Sequence, residues 1–128
     1  MITGTNATNQ SSMSNATTTQ LASINLSYGV WLIMAQAGIY NAHATSTCAI
    51  TNKQFCVSST TSFETLYQNR SIGTNTLAVS AAACEFVHRV ATVSSASATY
   101  YLLGFCNYST GTLQTWSGLT NLYAVQIA

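Results

Sequence analysis

The stretch that decides the fold is YGVWLIMAQAGIYN, residues 28–41, in which residues 30–40 carry no charge and a single amide, Gln36. A membrane-spanning helix needs about 20 consecutive apolar residues, so this run, flanked by Gly29 and Asn41, is too short to cross a bilayer as a helix. One alternating face carries Trp31, Ile33, Ala35 and Ala37, and the other carries Val30, Leu32, Met34 and Gln36. Apolar residues on both faces are typical of the central strand of a sandwich, covered on each side.

The composition is ordinary in apolar content and unusual in charge. Of 128 residues, 48% are hydrophobic and only 4% are charged, with a net charge of +1, whereas about 25% of residues are charged in typical soluble domains. The charged side chains are Lys53, Arg70, Arg89, Glu64 and Glu85. Solubility must therefore come from Ser, Thr and Asn, and such a surface suits a chain that packs against copies of itself. Nucleic acid is not expected as a partner, because phosphate recognition needs clustered Lys and Arg.

The beginning of the chain differs from the rest. Residues 1–19 are rich in Ser, Thr and Asn and have no apolar periodicity, so they cannot bury enough surface to fold by themselves. They predict an extended polar arm that orders on a partner, or else simple terminal disorder. The arm has neither the basic start nor the apolar stretch of a secretory signal. We therefore expect an attachment arm over residues 1–19 and one β-sandwich domain over residues 20–128.

The remaining pattern is one of short strands separated by turns. Alternation predicts a strand at 21–26. Residues 27–29 break this strand, and the apolar run at 30–40 follows as a second strand. Further strands are predicted at 54–58, 62–67, 77–80, 84–93, 98–107, 112–116 and 119–127, with a turn at 108–111. No stretch has the period of an amphipathic helix, and proline is absent. This spacing predicts an all-β fold, an antiparallel β-sandwich or jelly roll.

Four cysteines, Cys48, Cys56, Cys84 and Cys106, bear on metal binding and redox state. They form no C-x-x-C motif and no Cys/His cluster with zinc spacing, so no metal site is expected. Without a secretory signal, we expect free thiols that act as small buried hydrophobic groups. If a bridge exists, Cys48 with Cys56 is the first pair to examine, and Cys84 with Cys106 also stays open.

Ionisable side chains are few. Glu85 and His88 form an E-x-x-H spacing, but on a strand an odd offset places them on opposite faces. His88 shares its face with Cys84, Phe86 and Val90. Such surroundings predict a structural histidine. Glu85 and Arg89 share the other face, but two strand steps of about 6.8 Å each separate them, which is too far for direct pairing, so each should meet a partner on a neighbouring strand or subunit.

No catalytic motif stands out. His43 lies in the turn-like NAHATSTC and has no carboxylate placed to orient it towards a serine nucleophile. The sequence has no G-x-S-x-G elbow, no glycine-rich phosphate loop, and no carboxylate pair spaced for glycoside hydrolysis. We expect no enzymatic activity, no catalytic residue and no cofactor.

The aromatic residues divide into two groups. Trp31, Tyr100 and Phe105 fit the core, whereas Tyr28, Tyr67, Tyr108 and Trp116 fall at strand ends or in loops. In those positions aromatic rings either pack at the surface or stack on sugar rings. The candidate ligand-contact residues are His43, Tyr108, Thr110 and Trp116.

Two long stretches carry a resemblance to a known class of domain. INLSYGVWLIMAQAGIY and ATYYLLGFCNYSTGTLQTWSGLTNLYAVQIA resemble the opening and closing strands of small β-sandwich head domains in tailed-phage fibres. These heads are similar to the jelly rolls of tumour necrosis factor and of complement globular heads, which form compact homotrimers. The resemblance covers residues 21–128. It implies a homotrimer, for which the candidate contacts are Leu32, Met34, Tyr123, Val125 and Ile127.

The resemblance also implies a function. The expected protein is a non-enzymatic phage virion protein, a stand-alone homotrimeric knob that decorates the capsid or forms an adsorption tip. Its arm would contact other virion structural proteins, and its location would be the virion, assembled in the host cytoplasm. Two alternatives stay open: a receptor-binding tail-fibre head that recognises host-surface glycans, and a secreted lectin-like adhesin.

Overall fold

The structure, a computed structural model, describes residues 2–6, 12–64 and 68–128. The elements are β1 (Ile2–Asn6), β2 (Thr19–Asn41), β3 (Cys48–Ser58), β4 (Gln68–Leu77), β5 (Ala82–Ser109), β6 (Leu113–Thr115), a 3-10 turn (Ser117–Leu119) and β7 (Asn121–Gln126). Every ladder among these strands is antiparallel. The predicted all-β antiparallel fold is confirmed.

The strands form one continuous sheet that folds over on itself. Their order is β1-β7-β2-β5-β3-β4, and β6 pairs with β2. The guanidinium of Arg89 lies 5.2 Å from the ring centre of Tyr100, on the same strand. Residues 89 and 100 of a straight strand would lie about 36 Å apart at ~3.3 Å per residue. The long strand β5 therefore bends sharply, and β2, its partner on both sides of the bend, bends with it.

The bend divides the sheet into two layers of a sandwich. The first layer holds β3, β4, residues 19–27 of β2 and residues 98–109 of β5. The second layer holds β1, β6, β7, residues 29–41 of β2 and residues 82–93 of β5. Side chains of the two inner faces form the core, including Leu26, Trp31, Ile33, Phe55, Leu102 and Leu122.

The prediction that residues 27–29 break the strand is wrong, because the strand bends there and continues. The register runs from Ser27 opposite Ser97 to Gly29 opposite Val93, and it skips Tyr28 on β2 and residues 94–96 on β5. Gly29 has a φ of 141°, a conformation that residues with a side chain rarely adopt. A β-bulge thus redirects the strand without ending it. For the same reason the strands predicted at 84–93 and 98–107 are one strand.

Other predicted boundaries are partly right. The strands predicted at 54–58, 112–116 and 119–127 correspond to the end of β3, to β6 and to β7. The strand predicted at 77–80 is wrong, because Leu77 ends β4 and the chain turns at Ser80, which has a φ of 58°. The strand predicted at 62–67 is wrong over 62–64, which form a bend and a loop, and 65–67 lie outside the described residues.

The apolar run at residues 30–40 has one face covered by the rest of the chain. Trp31 and Ile33 are buried in the core, as predicted, and the indole nitrogen of Trp31 donates to the carbonyl of Ser27 at 2.9 Å. On the opposite face Leu32 is half-buried and Met34 is exposed. The second face is therefore open in the single chain, and its cover near a trimer contact stays a prediction. Of the predicted core aromatics, Tyr100 is also buried and Phe105 is half-buried.

The described residues of the polar arm lie against the rest of the chain. Ile2–Asn6 pairs with β7, and Met13 is buried in the core. The backbone of Met13 also accepts a hydrogen bond from the phenol of Tyr108 at 2.6 Å and donates one to the carbonyl of Leu113 at 2.9 Å. The division of the chain at residue 19 and contact of the arm with another virion protein stay predictions.

One buried amide holds three connections together at one end of the sandwich. Asn41 ends β2, and its side chain is fully buried. Its amide donates to the carbonyls of Ser46, Leu77 and Ala78, and its oxygen accepts from the backbone N–H groups of His43 and Thr112, at 3.0 to 3.3 Å. The segments that follow β2, β4 and β5 therefore share a single hydrogen-bonding centre.

Replacing Asn41 by alanine should lower the free energy of unfolding by about 3 kcal/mol, because several buried donors and acceptors lose their partner. Urea denaturation followed by tryptophan fluorescence measures the loss. Asn25→Ala is the matched control: Asn25 is exposed and its amide makes a hydrogen bond to Thr99, so that change should cost less than about 0.5 kcal/mol. Equal losses in the two variants would contradict the role assigned to Asn41.

Candidate functional site

The two outer faces of the sandwich differ in polarity. The outer face of the first layer carries hydroxyl and amide groups, including Ser23, Asn25, Ser27 and Thr99. The outer face of the second layer is mainly apolar, and we call it the apolar face. Its residues are Phe86, His88 and Val90 on β5, Val30, Leu32, Met34 and Gln36 on β2, and Asn121, Tyr123 and Val125 on β7. Ile127 follows β7 and is exposed.

The strand register arranges the apolar face in rows across β5, β2 and β7. The three rows are Val90–Leu32–Val125, His88–Met34–Tyr123 and Phe86–Gln36–Asn121. Directly opposite residues of antiparallel strands have Cβ atoms about 5 Å apart, so the side chains in each row are in contact range. The face is therefore contiguous, unlike a scatter of single exposed apolar residues.

Large apolar side chains on this face are open to solvent in the single chain. The exposed fraction is 65% for Phe86, 55% for Val90, 42% for Tyr123 and 40% for Met34. A groove of about 460 Å³ runs between Phe86 and Tyr123 over Met34 and Gln36. Single exposed apolar residues are normal on proteins, whereas a contiguous exposed patch marks an interaction surface.

Charge is absent from the apolar face, and the four charged side chains whose positions are described form two ion pairs away from it. Glu85 and Arg89 alternate with Phe86, His88 and Val90 along β5 and point to the opposite side. The carboxylate of Glu85 lies 2.5 Å from the ammonium of buried Lys53 on β3. The guanidinium of Arg89 lies 3.0 Å from the carboxylate of Glu64. The prediction of a partner on a neighbouring strand is confirmed for Glu85, whereas the partner of Arg89 lies in the loop that follows β3.

Glu64 is held by several donors at the end of β3. Its carboxylate accepts from the backbone and the hydroxyl of Ser59, at 2.6 and 2.5 Å, and from the hydroxyl of Ser58 at 3.1 Å. Burial acts to raise the pKa of this carboxyl, but the hydrogen bonds from Ser59 and Ser58, together with Arg89, outweigh it and hold the pKa below its ordinary value. Arg89 also donates to the carbonyl of Val57 at 3.2 Å.

The predicted ligand-contact residues occupy separate places. The ring nitrogen Nδ1 of His43 accepts from the backbone of Thr45 and Ser46 at 3.1 and 2.9 Å, within its own loop. The hydroxyl of Thr110 donates to the carbonyl of Thr47 at 2.6 Å. The phenol of Tyr108 binds the arm. Trp116 stacks on Tyr40, with ring centres 4.4 Å apart. Ligand contact by these residues stays a prediction.

The predicted trimer contacts come together. Leu32, Met34, Tyr123 and Val125 all lie on the apolar face, with Ile127 just beyond it. Phe86 and Val90 were not predicted to lie on this face. The interpretation of His88 as a structural histidine is wrong for the single chain, because His88 is exposed. The sequence of β5 gives no signal for this exposure, because a strand with charged residues on one face and apolar residues on the other normally turns its apolar face to the core.

The thiols are free and mostly buried. All four cysteines are unpaired, so neither the Cys48–Cys56 bridge nor the Cys84–Cys106 bridge is formed. Burial raises the pKa of the Cys106 thiol to about 12 and also raises the pKa values of Cys48 and Cys56. These three cysteines therefore behave as small hydrophobic groups, as predicted, and are poor nucleophiles.

Residues 2–6, 12–64 and 68–128 contain no group of three or more His, Cys, Asp or Glu side chains that could hold a metal ion. Over the same residues, no helix has the length and apolar character needed to span a bilayer.

No protein-family model and no curated protein sequence matches the chain. It is similar to the structure of Eiger TNF from S. frugiperda, with a TM-score of 0.42 and 15% identity over 78% of this chain and 60% of that one. It is also similar to the structure of the T13 IBDV viral particle, with a TM-score of 0.49 and 12% identity over 100% of this chain and 36% of that one.

A third similar structure is that of the infectious bursal disease virus Gx strain, with a TM-score of 0.46 and 13% identity over 100% of this chain and 37% of that one. The chain thus spans less than two thirds of each of these three structures. The strand register itself shows the fold, which is an antiparallel β-sandwich consistent with a jelly roll.

Replacing Glu64 by glutamine should lower the free energy of unfolding at pH 7 by about 1 kcal/mol, through loss of charge-assisted hydrogen bonds. Because the folded-state pKa of Glu64 is lowered, its contribution is complete above the ordinary value of 4.5 and is lost as the pH falls through the folded value. Urea denaturation at pH 7.0 and 3.0 measures the difference, which should shrink in acid. A difference that is the same at both pH values would contradict this account.

Proposed function

We propose that this chain is a non-enzymatic structural protein of a virion, a surface knob whose copies associate through the apolar face. The observation that carries the proposal is the contiguous, uncharged and solvent-exposed face formed by β5, β2 and β7. Covering apolar surface is favourable by about 25 cal/mol per Å². On an otherwise polar, weakly charged chain, such a face is therefore suited to lasting burial in an interface.

A second copy of the chain is the occupant that fits best. The apolar face carries no Lys, Arg, Asp or Glu, so it offers no charge complementarity to a charged partner. The outer face of the first layer is polar and suits contact with water. Copies that close around a symmetry axis bury the apolar face of each one and leave the polar face outside. The sequence resemblance favours three copies.

The placement of ionisable groups supports a non-enzymatic role. Glu85 and His88 lie on opposite faces of β5, so they do not form an acid–base pair. Glu64 and Glu85 are engaged by Arg89 and Lys53. We base the virion location on the sequence resemblance and on the low charge. The same two observations support both capsid decoration and an adsorption tip. The arm at residues 1–19 is the proposed attachment to other virion proteins.

Glycan recognition by a receptor-binding head, or by a secreted lectin-like adhesin, is the second candidate function. It is favoured by the half-buried pair of Tyr40 and Trp116, whose tilted rings offer an aromatic platform. A knob that only decorates the particle should give no selective signal on a glycan array. Selective binding that Trp116→Ala abolishes would instead support recognition, and titration of fewer than four free thiols under denaturing conditions would favour a secreted protein.

The association itself can be measured by light scattering. At pH 7.5 the protein should have a mass near three times 13.6 kDa. Met34→Asp should give single chains, because it places a charge in the middle of the apolar face, while Met34 is exposed enough for the monomer to stay folded. Asn25→Asp, on the polar face of the other layer, is the matched control and should stay trimeric. A trimeric Met34→Asp variant would contradict the proposed contact surface.

A further inference from the structure

His88 occupies the middle of the apolar face. It is exposed in the single chain, and the strand register places Met34 directly opposite it on β2, with Tyr123 next in the same row on β7. Its neighbours two positions away on β5 are Phe86 and Val90, which point to the same side. Any association that covers this face therefore also covers the imidazole of His88.

No acidic side chain faces His88. On β2 the nearby side chains are Leu32, Met34 and Gln36, which are all neutral. The titratable groups on the same face are the phenol of Tyr123 on β7 and the thiol of Cys84 on β5, and phenols and thiols are uncharged below pH 7. The segment Ile2–Asn6 of β1 contains no ionisable side chain. No element next to His88 thus provides a negative charge.

A second copy also has no free Asp or Glu side chain to offer. The sequence contains two acidic residues, Glu64 and Glu85. Both are engaged in ion pairs within the chain, Glu64 with Arg89 and Glu85 with buried Lys53. Because every copy is identical, a protonated His88 in the interface meets neutral side chains and equally protonated histidines of the other copies, but no Asp or Glu free to neutralise it.

We infer that His88 makes the association of copies sensitive to acid, so that the assembly is stable at neutral pH and separates near pH 5. This inference rests on the proposed association through the apolar face. An imidazole changes charge between about pH 5 and 8. Covering it in an apolar interface favours the neutral form, since burying an unpaired charge is costly. Proton uptake is therefore linked to dissociation: association is complete above the titration range and is lost as the pH falls through it.

The test uses the full chain in sedimentation velocity at pH 7.5, 6.5, 5.5 and 5.0, with near-ultraviolet circular dichroism to confirm that the subunit stays folded. The apparent affinity between copies should fall at least about tenfold per subunit between pH 7.5 and 5.0. His88→Gln should remain associated across this range. His43→Gln is the matched control, because His43 is the only other histidine in the sequence, and this variant should keep the acid sensitivity of the native chain.

The outcomes separate this inference from the proposed function. Association at pH 7.5 that persists unchanged at pH 5.0, or an equally acid-sensitive His88→Gln, overturns the role of His88 and leaves the proposed association intact. A native chain that is monomeric at pH 7.5 at high concentration overturns both. If His88→Gln fails to associate at neutral pH, His88→Phe replaces it, and loss of that variant's assembly at pH 5.0 also overturns the inference.

Discussion

The bend shared by β2 and β5 is the constraint on which the rest of the structure depends. These two strands pair along most of their length, on both sides of the bulge at Ser27–Gly29, so their ladder crosses from one layer of the sandwich to the other. Because of the bend, Arg89 reaches Tyr100 and the end of β3, and Glu85 reaches Lys53. The positive φ of Gly29 makes the change of direction compatible with a continuous strand.

The bend also explains an inverted pattern along β5. In a strand at the surface of a sandwich, charged residues normally face water and apolar residues face the core. Here Glu85 and Arg89 face inward, where Lys53 and Glu64 neutralise them, and Phe86 and Val90 face outward. Removing paired charges from water is costly, so this arrangement stabilises a single chain poorly. It is well suited to an assembly, because it keeps charge off the surface that copies are proposed to share.

The sequence predicted those features that depend on local alternation. The inward side chains of Trp31 and Ile33 and the common face of Leu32 and Met34 follow from a period of two. The turn predicted at 108–111 is wrong over its first half, because Tyr108 and Ser109 are the last residues of β5 and the chain bends at 110–111. The bend could not be predicted, because Ser-Tyr-Gly is equally suited to a turn that ends a strand and to a bulge that redirects it. The edge strand β4 was found only at its last residue, since its polar sequence QNRSIGTNTL shows little alternation. His88 was misread because the partners of its neighbours, Lys53 and Glu64, lie far away in the sequence.

The pairing of β1 with β7 has a consequence for how the chain is made. The first strand, Ile2–Asn6, is hydrogen-bonded to the last, Asn121–Gln126, which in turn pairs with the middle of β2. A ribosome delivers the first of these segments long before β7, so the second layer cannot be completed until β7 has also been made. Until then, the edge of β2 that β7 later occupies stays open, and the newly made polypeptide is exposed to off-pathway strand pairing with other nascent chains.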